Sequence, residues 1–144
     1  MTHNPPEPFT PRPVFKRRHR LTHAREFRAV FGARLRKSAG PLTLHAMATD
    51  LPEHRLGLSI GRKVGKAVVR SRLKRRLREA FRLSRAELPS PPGGSYDLVI
   101  SARPHDELTL DEYRRLLTTL AREAHTAWMR RANRRKPEAE EGSP

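Results

Sequence analysis

The sequence predicts an α+β domain, an α/β sandwich in which helices cover one β-sheet, and three observations lead to this class. Its 144 residues are the length of one domain. Segments with the two-residue period of strands are interspersed with segments of helical period. Residues that a core could bury are concentrated between Leu21 and Trp128, although only 35% of the chain is hydrophobic. We therefore expect one modest core with polar ends.

The folded domain is expected over residues 15–131. Residues 1–14 are rich in proline and offer almost nothing to bury, so we expect a disordered arm. Residues 132–144 change from basic to acidic, and we expect them to be a disordered tail.

The domain begins with a short basic segment and a short helix. The basic segment (FKRRHR) runs from Phe15 to Arg20. Thr22 then favours a helix start, and three apolar residues of this helix share one side: Phe27, Val30 and Phe31. Either these aromatic rings belong to the core, or they form a platform on which unpaired bases stack.

Three strands are predicted, two from alternating residues and the third from the segment YDLVISA, which ends before Pro104. They run from Leu42 to Ala48, from Leu56 to Ile60 and from Tyr96 to Ala102. A last helix opens at Thr109, which is expected to cap it, while Glu112 reaches back to the Thr109 amide.

A long helix between the second and third of these strands dominates the sequence. We expect it to run from about Val64 or Lys66 to Leu88. Its apolar residues fall on one arc, namely Val69, Leu73, Leu77, Ala80 and Phe81. The opposite side is cationic and holds Lys74, Arg75, Arg78, Arg82 and Arg85.

The charge of the chain points to a polyanionic partner. The net charge is +16, and ten basic residues but only one acid lie between Arg62 and Arg82. Such a surface repels itself unless an anion meets it, and phosphate contacts release counterions. The absence of cysteine and of a secretory signal fits a cytoplasmic protein that binds nucleic acid. We expect no membrane partner, because no apolar run approaches the ~18 residues of a membrane span.

No catalytic residue and no metal site is predicted in this chain. The sequence contains no nucleophile motif, phosphate-binding loop or paired carboxylates. His19 and His23 are four residues apart, but no glutamate follows as in zinc proteases. Four histidines are expected at the surface: His3, His54, His105 and His125.

The segment from Lys63 to Glu79 (KVGKAVVRSRLKRRLRE) resembles the protein component of bacterial ribonuclease P. That family carries the signature Arg-Asn-Arg-(Ile/Leu)-Lys-Arg, preceded by Lys-(Val/Ile)-Gly-Asn-Ala-Val. Further similarity lies at Arg20-Leu21, Glu26-Phe27-x-x-Val30-Phe31, Leu56-Gly57-Leu58-Ser59, Asp97–Ala102 and Leu108-Thr109. Ser71 and Lys66 stand where the family usually has asparagine.

The resemblance implies a more detailed fold than the pattern alone. It implies the order α-β-β-β-α-β-α, as in domain 2 of ribosomal protein S5, with a left-handed βαβ crossover around the basic helix. It also implies a first short strand near Arg34 to Ser38.

The resemblance also implies a function, namely removal of the 5′ leader from precursor tRNA. The catalyst would be the RNA subunit with Mg²⁺ held mainly by that RNA. This chain would bind the RNA subunit through Arg62, Lys63, Lys66, Arg70, Ser71, Arg72, Lys74, Arg75 and Arg78. It would bind the leader through Phe15, Lys16, Arg17, Arg18, Arg20, Phe27 and Phe31.

Two other classes of function stay open, and an intrinsic nuclease is the weakest alternative. One is a ribosomal or RNA-chaperone protein of the same fold without a role in cleavage. A DNA-binding protein is not expected, because no helix-turn-helix pair precedes the basic helix and no heptad repeat follows it. An intrinsic nuclease would need a cluster of acids for metals, and the sequence shows none.

Overall fold

The structure is a computed structural model that describes residues 15–141, with side chains up to Arg134. The helices are α1 (Ala24–Gly32), α2 (Ala67–Ser84) and α3 (Leu110–Glu141), and the strands are β1 (Leu35–Ala39), β2 (Leu42–Thr49), β3 (Arg55–Ser59) and β4 (Ser95–Ala102). Short 3₁₀ turns lie at Arg17–His19, Arg62–Val64 and Arg85–Glu87. The α+β class and the order α-β-β-β-α-β-α are therefore confirmed.

The four strands form one sheet in the order β1-β2-β4-β3. Strand β2 pairs antiparallel with both β1 and β4, whereas β3 pairs parallel with β4, with Leu56 opposite Leu98. Because β3 and β4 are parallel neighbours, the chain must cross over between them, and α2 forms that connection. The left hand of this crossover stays a prediction.

Strand β1 cannot be recognised from alternating apolar and polar residues in the sequence. Only Leu35 of its five residues is fully buried, so alternation cannot be seen in LRKSA. The resemblance placed this strand near Arg34 to Ser38, and the structure places it one residue later. Arg34 instead has a positive φ of 55°, which turns the chain out of α1.

Helices α2 and α3 cover one face of the sheet and form the main core with it. Leu77 and Phe81 of α2 and Leu117 of α3 are fully buried against Leu44 and Leu98 of the sheet. Among the described residues, α1 is the helix that covers the other face, and its Val30 packs with Leu21 and Val99 in a smaller cluster. One face of the sheet is thus covered by two helices and the main core, and the other by one short helix and a small cluster.

Several predicted helix details need correction. Val69 is not on the buried arc of α2: its side chain is 44% exposed, because the first turn of α2 extends past the core. The N-cap of helix α1 is His23 instead of Thr22. The Glu26 carboxylate accepts hydrogen bonds from the backbone N–H groups of both Thr22 and His23. At α3 the Thr109 hydroxyl accepts the Glu112 N–H as expected.

Two features of α3 differ from expectation. The Glu112 carboxylate accepts a hydrogen bond from the Thr109 hydroxyl (3.1 Å) instead of the Thr109 amide. The helical backbone also continues to Glu141, past residue 131, since arginine, alanine and glutamate favour helices. The predicted disordered arm, 1–14, lies outside the described residues, as does the end of the tail. Within residues 15–141, every helix lacks the apolar length needed to cross a bilayer.

Candidate nucleic-acid interface

The buried stripe of α2 determines which of its side chains reach solvent. Leu73, Leu77 and Phe81 pack inward at helical spacing. Arg75 therefore lies exposed on the outer side, with Lys74 and Arg78 partly exposed beside it. In the described part of the chain, no carboxylate lies within ion-pair distance of these three cations. Their charge is available to an external anion.

Other cations of α2 have partners within the protein. Glu107, in the loop before α3, lies 2.9 Å from Arg76 and 4.0 Å from Arg72. Arg82 pairs with Glu79 one turn away. Arg70 donates from Nε to the carbonyl of Gly65 (3.2 Å) and so ties the helix start to the preceding loop.

The start of α2 gathers cations where a helix tolerates them poorly. Arg62 and Lys63 lie exposed in the preceding 3₁₀ turn, Lys66 is the N-cap, and the first turn of α2 contains no acid. The positive end of the helix dipole opposes these charges. An anion at this end would satisfy both the dipole and the side chains. Ser71 is exposed on the same part of α2, and every residue of the predicted set for the RNA subunit is exposed or partly exposed.

The basic segment from Phe15 to Arg20 is part of the fold. The ring of Phe15 packs edge-on against Phe81 of α2 at 5.6 Å, and the Arg20 guanidinium lies 4.9 Å from the Phe15 centroid. The Leu21 N–H donates to the Leu56 carbonyl (3.0 Å), which fixes the segment beside β3. Phe15 is therefore a packing residue of the α2 side of the sheet.

This segment brings the two predicted binding surfaces together. Burial, and next the nearby charge of Arg20, lower the pKa of Arg78. The guanidinium groups of Arg20 and Arg78 are thus close enough to repel each other. Lys16, Arg17 and Arg18 are exposed on the same segment, and Arg18 donates to Glu53 (3.2 Å). The cationic surface of α2 continues along this segment toward α1.

The aromatic residues of α1 have different roles. Phe27 packs over β3, where a Cβ added at Gly57 would be only 2.7 Å from two of its ring atoms. Phe31 is 39% exposed and meets the His45 ring of β2 edge-on at 4.7 Å. Burial, followed by the charge of Arg36, lowers the pKa of His45. Phe27 therefore belongs to the packing, and Phe31 offers an open face beside the sheet.

An ion network fixes α1 to the sheet, and sequence reasoning missed it. Arg55 donates to both carboxylate oxygens of Asp97 (2.8 and 2.7 Å) and, from its second terminal nitrogen, to Glu26 of α1 (2.8 Å). Asp97 is only 1% exposed. The hydrogen bonds that Arg55 donates to Asp97 raise the pKa of Arg55. The signal in the sequence was an acid inside the apolar strand YDLVISA, which needs a partner when buried.

The predicted leader-binding set is divided by the structure. Phe27 and Phe31 lie on the α1 face of the sheet, whereas Phe15 packs against α2 on the other face. Arg20 lies between these regions, at the edge formed by β3. The exposed candidates on the α1 face are thus Phe31 and the polar side chains of the strands beneath it.

One of the four histidines that were expected at the surface, His54, is instead buried. His54 is 6% exposed, and its Nδ1 accepts the Tyr96 N–H (2.9 Å). Burial lowers the pKa of His54 and also that of His19, which is fully buried against Glu53 and Arg85. His3 lies outside the described residues. Between residues 15 and 134, no group of three or more His, Asp or Glu side chains could hold a metal ion.

Comparison with known proteins identifies relatives in both sequence and structure. The family model described as Ribonuclease P matches residues 15–125. A ribonuclease P protein component from Methylococcus capsulatus is 46% identical over 90 residues, covering 62% of this chain and 66% of that relative, just under two thirds of its length. One from Bacillus cereus is 32% identical over 103 residues, covering 71% of this chain and 87% of the relative. The solved ribonuclease P protein of Thermotoga maritima superposes with a TM-score of 0.63 at 26% identity, covering 72% of this chain and 96% of that one.

Proposed function

This chain belongs to the ribonuclease P protein family, and we propose that it is the subunit that holds the catalytic RNA and the 5′ leader of precursor tRNA during leader removal. The observation that carries the proposal is the continuity of two surfaces. The cationic side of α2 continues through Arg20 and Arg78 toward the α1 face, where Phe31 is exposed. One RNA can therefore lie on α2 while a single strand reaches α1.

We assign the two surfaces to two RNA partners. The α2 surface suits a folded RNA, because Lys74, Arg75 and Arg78 offer charge without reading sequence, and arginine forks match phosphates. The α1 face suits an unpaired strand, because an exposed aromatic ring stacks on any base.

Catalysis in this proposal belongs to the RNA subunit. Mg²⁺ bound by RNA phosphates would activate water and stabilise the leaving oxygen. The residues of this chain bind and orient: cations on α2 reduce repulsion between approaching phosphates, and the α1 face holds the leader in place. The proposal places the assembled enzyme in the cytoplasm.

A cleavage assay at low Mg²⁺ tests the proposal. A 5′-labelled precursor tRNA is incubated with the protein alone, with a bacterial ribonuclease P RNA alone, and with both together. We expect cleavage at the mature 5′ end to be much faster with both. Cleavage by the protein alone would show a catalytic centre in this chain. Tight RNA binding without any effect on cleavage would favour a ribosomal or RNA-chaperone role.

The assignment of surfaces is tested by two substitutions. Arg75→Glu should weaken binding of the RNA subunit, because it reverses a cation without an internal partner. Phe31→Ala should mainly weaken binding of precursor tRNA relative to mature tRNA by the holoenzyme, because it removes a stacking face worth ~1–3 kcal/mol per base. Equal losses in both assays for both variants would contradict the division.

A further inference from the structure

A small, partly apolar cavity lies beside the cationic start of α2, and apart from Arg72 its lining residues belong to neither surface described above. It has a volume of about 240 Å³. Its walls combine apolar side chains of α2 and the turn before it (Val64, Val69 and Leu73) with His105 of the loop before α3 and Tyr113 of α3. Pockets for drug-sized ligands are typically ~300–1,000 Å³, so this one suits a single small planar group.

The floor of the cavity is held rigid by its own hydrogen bonds. The Tyr113 hydroxyl contacts His105 Nε2 at 2.8 Å and accepts the Leu108 N–H at 3.3 Å. The other ring nitrogen of His105 contacts the Arg103 carbonyl at 2.7 Å, so it carries the proton that this bond requires. The Tyr113 hydroxyl therefore donates to Nε2, and the aromatic floor is formed before any ligand arrives.

The apolar wall is unusual for its position in the molecule. Among the described residues, the exposed large hydrophobic side chains are Phe31, Val68 and Val69, at 39%, 67% and 44% exposure. Two of the three are thus adjacent at the start of a helix that is otherwise cationic. Val69 lines the cavity, whereas Val68 does not.

The charges around the cavity select its occupant. Arg72 stands at the rim, and the exposed cations Arg62, Lys63 and Lys66 precede or begin the same helix. The carboxylates of Asp106 and Glu107 also line the cavity. These carboxylates disfavour an anion inside but accept hydrogen bonds from N–H groups. A phosphate belongs on the cations outside, and a neutral group with N–H donors belongs within.

We propose that this cavity receives one unpaired nucleobase of the RNA subunit whose phosphates lie on the cations at the start of α2. The inference rests on the proposed function. The base faces contact Val64, Val69 and Leu73, and its N–H groups point to the carboxylates of Asp106 and Glu107 in the cavity wall. A nucleobase combines the apolar faces and the polar edge that the cavity requires.

The test uses Val69→Ser, with Val68→Ser as the matched control. Both side chains are exposed and adjacent, and serine and valine have similar helix propensities, so both variants should fold. The full-length proteins are titrated with a transcribed bacterial ribonuclease P RNA at several salt concentrations. We expect Val69→Ser to lose affinity about five- to tenfold with an unchanged slope of log K against log salt. Val68→Ser should remain near wild type.

An independent readout locates the base. Dimethyl sulfate probing of the same RNA should show a nucleobase that wild type and Val68→Ser protect but Val69→Ser leaves reactive. Equal behaviour of the two variants in both measurements would overturn the cavity proposal while leaving RNA binding intact. Failure of the wild-type protein to bind the RNA would overturn the proposed function and the cavity with it.

Discussion

At the scale of single residues, Arg55 decides how α1 sits on the sheet. Its guanidinium is the only described cation that contacts both Asp97 and Glu26, and Asp97 is almost fully buried. The Glu26 carboxylate in turn accepts the first N–H groups of α1. One planar side chain thus connects β3, β4 and the helix that presents Phe31.

Replacing Arg55 should destabilise the protein because it leaves Asp97 buried without its partner. We expect Arg55→Met to lower the free energy of unfolding by about 2–4 kcal/mol, measured by urea denaturation. Adding Asp97→Leu should restore much of this loss, because the fully buried carboxylate is then gone and Glu26 keeps its bonds from the Thr22 and His23 N–H groups. Arg55→Lys should be intermediate, since lysine keeps the charge but loses the paired hydrogen bonds. An additive double variant would show that the two residues do not act together.

The buried histidines predict a loss of stability in mild acid. Burial lowers the pKa values of His19, His45 and His54 below the ordinary 6.5. At pH values between 6.5 and these lowered pKa values, the unfolded chain binds more protons than the folded one. The histidines therefore do not reduce the free energy of unfolding above pH 6.5, and they reduce it as the pH falls below 6.5.

Urea denaturation at about pH 7.5, 6.5 and 5.5 measures this effect. The carboxyl groups of Glu26 and Glu53 reduce the free energy of unfolding only at lower pH. Burial raises their pKa values, but their hydrogen bonds outweigh it and lower these pKa values below 4.5. His45→Gln should flatten the pH dependence with little other change, because His45 lies at the edge of the packing. A constant free energy of unfolding from pH 7.5 to 5.5 would contradict the prediction.

At the scale of elements, the contact between α1 and β3 depends on the missing side chain of Gly57. A methyl group there would approach Phe27 to 2.7 Å and the Leu21 Cβ to 3.1 Å. The Phe27 ring can move, but the backbone of Leu21 is fixed by its bond to β3. Helix α1 can therefore lie this close to the sheet only over a glycine.

Gly57→Ala should displace Phe27 and, through α1, the neighbouring Phe31. We expect a destabilisation of about 1–3 kcal/mol from overpacking, together with weaker binding of precursor tRNA by the holoenzyme. Gly61→Ala is the control, because no atom lies within 4 Å of an added Cβ there. Wild-type affinity for precursor tRNA in Gly57→Ala would show that the position of Phe27 does not matter for binding.

The sequence predicted elements well where burial is periodic. The apolar periods of β2 and α2 marked their positions because each buries one continuous face, and β4 was marked by an apolar run that is buried on both faces of the sheet. Strand β1 came only from the resemblance, since a mostly exposed edge strand has no such period. Contacts between distant segments were missed: the burial of His54, the Arg55 network and the packing of Phe15 on Phe81 all depend on the tertiary fold.

At the scale of the whole molecule, the charge that suits RNA opposes the folded state. The net charge is +16, and the Arg20–Arg78 pair and the cations at the start of α2 concentrate repulsion on one side. Attractive pairs such as Arg76–Glu107 offset only part of it. Folding compresses these charges, whereas bound phosphates neutralise them.

Salt should therefore change folding and binding in opposite directions. Raising the salt concentration from about 0.05 M to about 0.5 M shortens the Debye length severalfold, so repulsion weakens and the free energy of unfolding of the free protein should rise. Over the same range the affinity for the RNA subunit should fall steeply, because releasing counterions into more concentrated salt gains less free energy. Urea denaturation and filter binding in matched buffers measure the two effects.

Arg78→Gln should reduce the salt dependence of both stability and binding, since it removes one member of the repelling pair and one phosphate contact. A stability that falls with salt would mean instead that attractive ion pairs dominate this surface, and an affinity independent of salt would mean that phosphates are not what α2 binds.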